Sequence, residues 1–217
     1  MIYFRAVAKT YRVHEGRPKL VLQPTTIALP TDRRVAILGG RMAGKTTLLK
    51  LLAGFEAPDT GHVIAPPSLR LSPIGNSRIL LHPVFSGVEN IQIVARMTGV
   101  DPDLLLTAVD RLCGIGRMLE KPLHTQDAQQ RQLLEIALLS VLPFDCYLLD
   151  NTHSMPGGLL ERFLDAAQRR GAGMIFATGQ PRQVYRYADY AVVIKDRTIC
   201  AYTQVEEAIE SYERKSA

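Results

Sequence analysis

The segment from Ile37 to Lys50, ILGGRMAGKTTLLK, constrains this chain more than any other stretch. It spells G-x-x-x-x-G-K-[ST] through Gly39, Gly44, Lys45 and Thr46, the P-loop or Walker A pattern. An apolar run, Arg34 to Leu38, precedes it and reads as a buried strand. Leu48, Leu49, Leu51 and Leu52 follow at helical spacing. The motif thus falls between a strand and a helix start, where backbone N–H groups and the helix dipole converge on an anion. Glycine lets that backbone curl around phosphates with no Cβ in the way. In this reading Lys45 reaches the β- and γ-phosphates of ATP and the Thr46 hydroxyl ligates Mg²⁺. Gly40, Arg41, Met42, Ala43 and Thr47 complete the cradle. The competing reading, an ordinary Gly-rich strand-to-helix turn, leaves the Lys-Thr pair unexplained.

At 217 residues the chain fits one large domain, spanning 1–217, that can bury a real core. Its 47% apolar and 22% charged content is that of a soluble globular protein. No run approaches the ~18 apolar residues of a membrane span, and the N-terminus lacks a signal-peptide pattern. Cys113, Cys146 and Cys200 are widely spaced and odd in number, matching neither a metal cluster nor a disulfide framework, so a reducing cytosol is expected. The formal charge of +5 is scattered, with no basic cluster interleaved with aromatics. Nucleic acid is therefore not an expected partner. A solvated surface biased toward anionic lipid headgroups is.

Along the chain, Ile2 to Ala8 and Lys19 to Leu29 read as strands joined by a turn near residues 15–18. Tyr11 falls just after the first, exposed beside that turn, where it either packs at the strand end or stacks on a purine. The Walker A helix ends at Gly54, a short strand covers His62 to Ala65, and residues 68–83 are mostly loop with one or two short strands. A helical insert comes next, at about 84–142. Ser86 and Glu89 make a capping box for its first helix, which Gly99 stops. Asp101 and Pro102 open the second, which runs to Gly114. The third spans about Ala128 to Leu142 and is apolar around much of its circumference.

Cys146 to Asp150, CYLLD, is an apolar run ending in a carboxylate. Beside a P-loop this is where a Mg²⁺-holding Walker B aspartate belongs. Taken alone it also reads as a strand end whose aspartate caps the next turn. Further α/β alternation covers a helix near 158–169, a strand at Met174 to Thr178, a short helix after Pro181 and a strand at Tyr190 to Lys195. A hairpin at Asp196-Arg197 leads into Thr198 to Thr203, and a last amphipathic helix covers Val205 to Arg214.

The two Walker elements lie about a hundred residues apart, too far for a simple GTPase. With the β-rich N-terminus, the chain resembles nearly end to end the ATP-binding subunit of an ABC transporter, nearest the capsular-polysaccharide-export type. The resemblance is carried by KTYR at 9–12, the P-loop with LLAG at 51–54, PDTG at 58–61, GVENI at 87–91, VAR at 94–96 and FDCYLLD at 144–150. It implies an α/β P-loop NTPase core with an N-terminal antiparallel β-subdomain and an inserted helical subdomain. It further implies Tyr11 stacking on adenine, and ATP and Mg²⁺ as ligands, the Mg²⁺ held by Thr46 and Asp150. The expected partners are an integral membrane permease and a second ATP-binding subunit, homo- or heteromeric. The expected location is the cytoplasmic face of the inner membrane, as a peripheral subunit.

The departures from the family pattern are as informative. The family's glutamate after Walker B polarises the attacking water; here Asn151 stands there, an amide that cannot take a proton. Loss of general-base help costs roughly 10²–10⁴ in rate. The switch histidine is replaced by Gly179, and the D-loop aspartate falls near Gly157. No residue is assigned as the Q-loop glutamine. The family signature, LSGGQ, corresponds to His124 through Ala128, HTQDA, in which Thr125 alone stands in for the serine. Asp127 brings a negative charge toward a phosphate, a repulsion of up to about 4 kcal/mol at 4 Å and intermediate dielectric. Asp127 and Gln130 also have capping-box spacing, so the stretch equally reads as a plain helix start.

Three functions are expected, in descending order. The first is a polysaccharide-exporter ATP-binding subunit with weak or partner-dependent hydrolysis. The second is a non-hydrolysing scaffold or regulatory pseudo-ATPase of an envelope polysaccharide assembly. The third is a soluble P-loop kinase, for which a lid with clustered arginines would be needed beyond Arg169-Arg170.

Overall fold

The computed structural model describes residues 1–12, 17–75, 81–114, 116–155 and 158–214. Two sheets organise them. The first is antiparallel and three-stranded, in the order β2-β1-β4, built from β1 (Ile2–Arg12), β2 (Pro18–Leu29) and β4 (Thr60–Ile64). The second is six-stranded, in the order β5-β6-β7-β3-β8-β9. Its strands are β3 (Arg34–Gly39), β5 (Leu71–Gly75), β6 (Cys146–Leu149), β7 (Gly173–Thr178), β8 (Tyr190–Lys195) and β9 (Thr198–Tyr202). All pair in parallel except the β8–β9 hairpin. That hairpin turns at Asp196 and Arg197, both at positive φ, as a tight two-residue connection requires.

The central strands are apolar on both faces, as parallel strands covered on both sides must be. Val35, Ile37, Ile175 and Ala177 face one layer, formed by α1 (Lys45–Leu52) and the three-stranded sheet through Ile2, Phe4 and Leu22. Ala36, Leu38, Tyr147, Leu149 and Phe176 face the other. That layer contains α5 (Leu159–Arg169), α6 (Pro181–Tyr187) and α7 (Val205–Glu213). A third cluster lies among α2 (Gly87–Thr98), α3 (Pro102–Cys113) and α4 (Ala128–Val141). Helix α4 serves two clusters at once. Ile136 and Leu139 pack under the sheet, whereas Leu134, Ala137 and Leu138 pack on α2 and α3. Its apolar circumference follows from that position.

The expected caps are in place. Ser86–Glu89 and Asp127–Gln130 both close capping boxes, Asp101 accepts from the N–H groups of Asp103 and Leu104, and Gly99 ends α2 at φ 71°.

Strand β1 differs from the sequence expectation. It runs past Ala8 to Arg12, so Tyr11 lies within the strand, paired with Lys19, and is half-buried. Register shifts between Phe4 and Thr10, with Ala6 at φ 49°, break the two-residue alternation that would have revealed the extension. Gly61, at φ 75°, packs against that bulge, where an added Cβ would lie 2.2 Å from the Arg5 carbonyl oxygen. Residues 15–16 of the turn expected at 15–18, and the D-loop position Gly157, lie outside the described residues, whereas Pro18 already begins β2.

Candidate functional site

The site forms at the C-terminal ends of β3, β6 and β7, at the start of α1. Strand β3 ends at Gly39 and α1 begins at Lys45, with Gly44 at φ 109° turning the chain into the helix. Gly44 is required on two counts: its left-handed backbone, and the Val21 and Leu22 side chains 3.0 Å from where a Cβ would stand. No acidic residue occupies the first turn of α1, so no carboxylate of the helix itself offsets the positive field of its N-terminal N–H groups. Met42 is 77% exposed at φ 61°, a conformation that costs a non-glycine residue about 1–2 kcal/mol.

The Lys45 ammonium curls back over the loop, donating to the carbonyls of Gly39 and Gly40 at 2.7 Å each. Burial lowers its pKa, and the charge of Asp150 opposes that shift. A γ-phosphate would replace those carbonyls with a charged acceptor, a stronger bond.

The Thr46 hydroxyl donates to Asp150 Oδ2 at 2.6 Å, and Asp150 Oδ1 accepts from the Asn151 N–H at 2.8 Å. Asp150 is 9% exposed. This pair of hard oxygen donors suits Mg²⁺, which takes one or two protein oxygens and completes its octahedron with phosphate and water. Among the described residues no group of three His, Cys, Asp or Glu side chains would hold a metal unaided. The donor set therefore fits a cation that arrives with a polyphosphate.

Tyr11 sits beside this cradle. Its hydroxyl donates to Glu56, and Lys9 Nζ lies 5.4 Å from the ring centroid. Burial and the Glu56 carboxylate raise the Tyr11 pKa, while a bond with Thr47 on α1 pulls it down. Sequence reasoning missed Glu56 and gave Lys9 only a place in the KTYR stretch, with no role.

Asn151 is left-handed at φ 51°, a conformation asparagine tolerates better than most residues. Its Nδ2 donates to Ser154 Oγ at 3.1 Å. At Gly179 an added Cβ would meet only the Gly39 carbonyl oxygen within 4 Å, at 3.5 Å, which places residue 179 against the P-loop strand. Nearby, Gln183 Oε1 accepts from Thr178 at 2.6 Å and Thr152 at 3.1 Å, tying β7 to the turn after β6 without a histidine. In the signature region the Thr125 hydroxyl donates to Pro122 O at 2.7 Å, outside α4. Asp127 is the residue that caps α4, accepting from Gln130 N–H at 2.7 Å.

Strand, glycine loop, helix and an aspartate on the next-but-one strand define a P-loop nucleotide-binding protein of the ATP-binding-cassette fold. The sequence profile of the ABC transporter family matches residues 22–154, and the chain belongs to that family. The ATP-binding protein BexA of Haemophilus influenzae is 26% identical over 98% of each chain. The capsule polysaccharide export ATP-binding protein CtrD of Neisseria meningitidis serogroup B is 25% identical, again over 98% of each. A dimeric ATP-binding cassette solved in a post-hydrolysis state with ADP and Pi superposes with a TM-score of 0.80 at 16% identity. The match covers 94% of this chain and 99% of that one. Among the described residues no helix is long and apolar enough to cross a membrane.

Proposed function

We propose that the chain is the ATP-binding subunit of a polysaccharide exporter, binding Mg-ATP and hydrolysing it slowly or only with a competent partner. The observation that carries this is the Thr46–Asp150 bond, which joins Walker A to Walker B beside the Lys45 loop. Gly39 to Thr47 cradle the phosphates, Thr46 and Asp150 hold the Mg²⁺ that neutralises phosphate charge, and Tyr11 is the base platform. The relatives named for capsule export support a polymer as the exported substrate.

Slow turnover follows from the residues themselves. Asn151 accepts no proton from water, Gly179 offers no imidazole, and Asp127 sets a carboxylate at the α4 N-terminus. In an ATP-bound dimer of this family each site joins one subunit's Walker residues to the other's signature. A homodimer would thus carry the losses at both sites, and no heterodimer partner repairs all of them. These same losses favour the second reading, a non-hydrolysing scaffold of the same assembly.

An apolar groove of about 650 Å³ supports docking on an integral membrane permease at the cytoplasmic face of the inner membrane. Phe55, Phe85, Ile93, Met97 and Phe144 line it, and Met97 is 80% exposed. Contiguous apolar surface of this kind marks a partner.

Lys45→Ala is expected to abolish the rise in melting temperature that Mg-ATP gives the parent chain. An unchanged rise would remove both readings. Turnover then separates them: measurable ATPase activity with a co-purifying permease supports the exporter, and none with any partner supports the scaffold.

A further inference from the structure

Tyr11 is held unusually tightly for a half-exposed aromatic ring. Its hydroxyl donates to one oxygen of Glu56, and the other oxygen accepts from Lys50 Nζ at 3.0 Å. Lys50 lies in the last turn of α1, the helix whose first turn holds Lys45, Thr46 and Thr47. Lys9 closes the arrangement from β1: its ammonium donates to Ala57 O at 2.8 Å and lies 3.4 Å from Asp59 and 3.7 Å from Glu56. Asp59 in turn accepts from the Thr10 N–H at 2.6 Å. Strand β1 and the segment after α1 are therefore stitched together at several points around one ring.

We propose that Glu56 is a positioning residue that locks the base platform Tyr11 to the helix bearing the phosphate cradle. It makes base and triphosphate sites one rigid receptor of set length. The inference rests on reading Tyr11 as the base platform. A free tyrosine beside the cradle would have to be ordered when the purine arrives, which weakens binding. Here Glu56 orders it beforehand. The Lys9 ammonium lies over one face of the ring, 5.4 Å from its centroid. Glu56 acts through the Tyr11 hydroxyl, so its effect falls on ligands that have a base.

That separates it from a merely structural contact. Calorimetry with Mg-ATP and with magnesium tripolyphosphate, which has the phosphates and no base, tests it on the full chain. Tyr11→Phe and Glu56→Ala are each expected to weaken ATP about fivefold, the equivalent of one hydrogen bond of about 1 kcal/mol. Each should leave tripolyphosphate within about twofold of the parent, and the double variant should bind ATP no worse than the weaker single one. Tyr11→Phe binding ATP as the parent does, or ATP and tripolyphosphate weakening together, overturns the proposal. Should Glu56→Ala fail to fold, Tyr11→Phe is set beside Thr47→Val, because the Tyr11 hydroxyl also bonds Thr47; a loss of ATP affinity in Tyr11→Phe no larger than in Thr47→Val overturns the proposal, and a larger one supports it. Tyr11→Ala distinguishes the failures. Unchanged ATP affinity in that variant sinks the platform itself, whereas a loss there with none in Tyr11→Phe sinks only the clasp.

Discussion

Thr46 and Asp150 are 104 positions apart, and the bond between their hydroxyl and carboxylate is where two separate apolar runs become one site. Each was legible because its chemistry is written locally: a glycine loop before a helix, a carboxylate at the end of a buried strand. Asn151 and Gly179 stand at fixed distances from those anchors, and the proposed function takes them as replacements. Their surroundings set what restoration will do. Asn151→Glu supplies a base and is expected to raise ATPase activity at least tenfold, short of the roughly 10²–10⁴ that a fully positioned base typically contributes. It also puts a glutamate at φ 51°, at about 1 kcal/mol, so the melting temperature should fall by about 2–4 °C. A Cβ at Gly179 meets only ordinary contact with Gly39 O, so the backbone admits Gly179→His, which should leave the melting temperature within about 2 °C of the parent if the ring finds open space. Combined with Asn151→Glu, it should raise turnover beyond the single variant; no gain over the parent would favour the scaffold. The roles of Glu56 and Lys9 were illegible, because they come from side-chain proximity that no spacing encodes.

Helix α4 is the element on which the reading of function turns. Its start is a complete capping box, Asp127 accepting from Gln130 N–H while Gln130 reaches back to the Asp127 N–H at 3.3 Å. In the proposed function the same carboxylate opposes a phosphate approaching the helix. Stability and function can therefore be pulled apart. Asp127→Ala should destabilise the protein by about 1 kcal/mol in urea unfolding, whereas Asp127→Ser should keep most of the cap and remove the charge. Equal destabilisation by both would mean that the cap is not what Asp127 contributes. Caps such as this were readable from three-residue spacings. The end of β1 was not, since its bulges erased the alternation and hid Tyr11 inside a strand.

The sheet order itself is a property of the whole molecule. Arg34 at the start of β3 forms a fork with Asp189 just before β8: Nη2 to Oδ1 at 2.8 Å and Nε to Oδ2 at 3.1 Å. The Arg34 N–H also donates to the Asp189 carboxylate, and the Asp189 N–H donates to the Arg34 carbonyl. Burial pushes the Asp189 carboxyl up, but the Arg34 bonds outweigh it and the group titrates below its ordinary value. A carboxyl with a lower pKa folded than unfolded adds stability above the unfolded value, about 3.9, and loses it as pH falls through the folded one. The gap in melting temperature between the parent and Asp189→Asn should accordingly be constant down to about pH 4 and narrow below it. A gap that holds into stronger acid would contradict this. By itself the sequence determined the glycine loop between strand and helix, the caps and the amide at position 151, because periodicity, glycine and capping are short-range properties of a chain. The tertiary structure alone decided which strands neighbour β3, that α4 serves two cores, and that Tyr11 is gripped by Glu56. These are contacts across long stretches of sequence, selected by how apolar faces can be covered together.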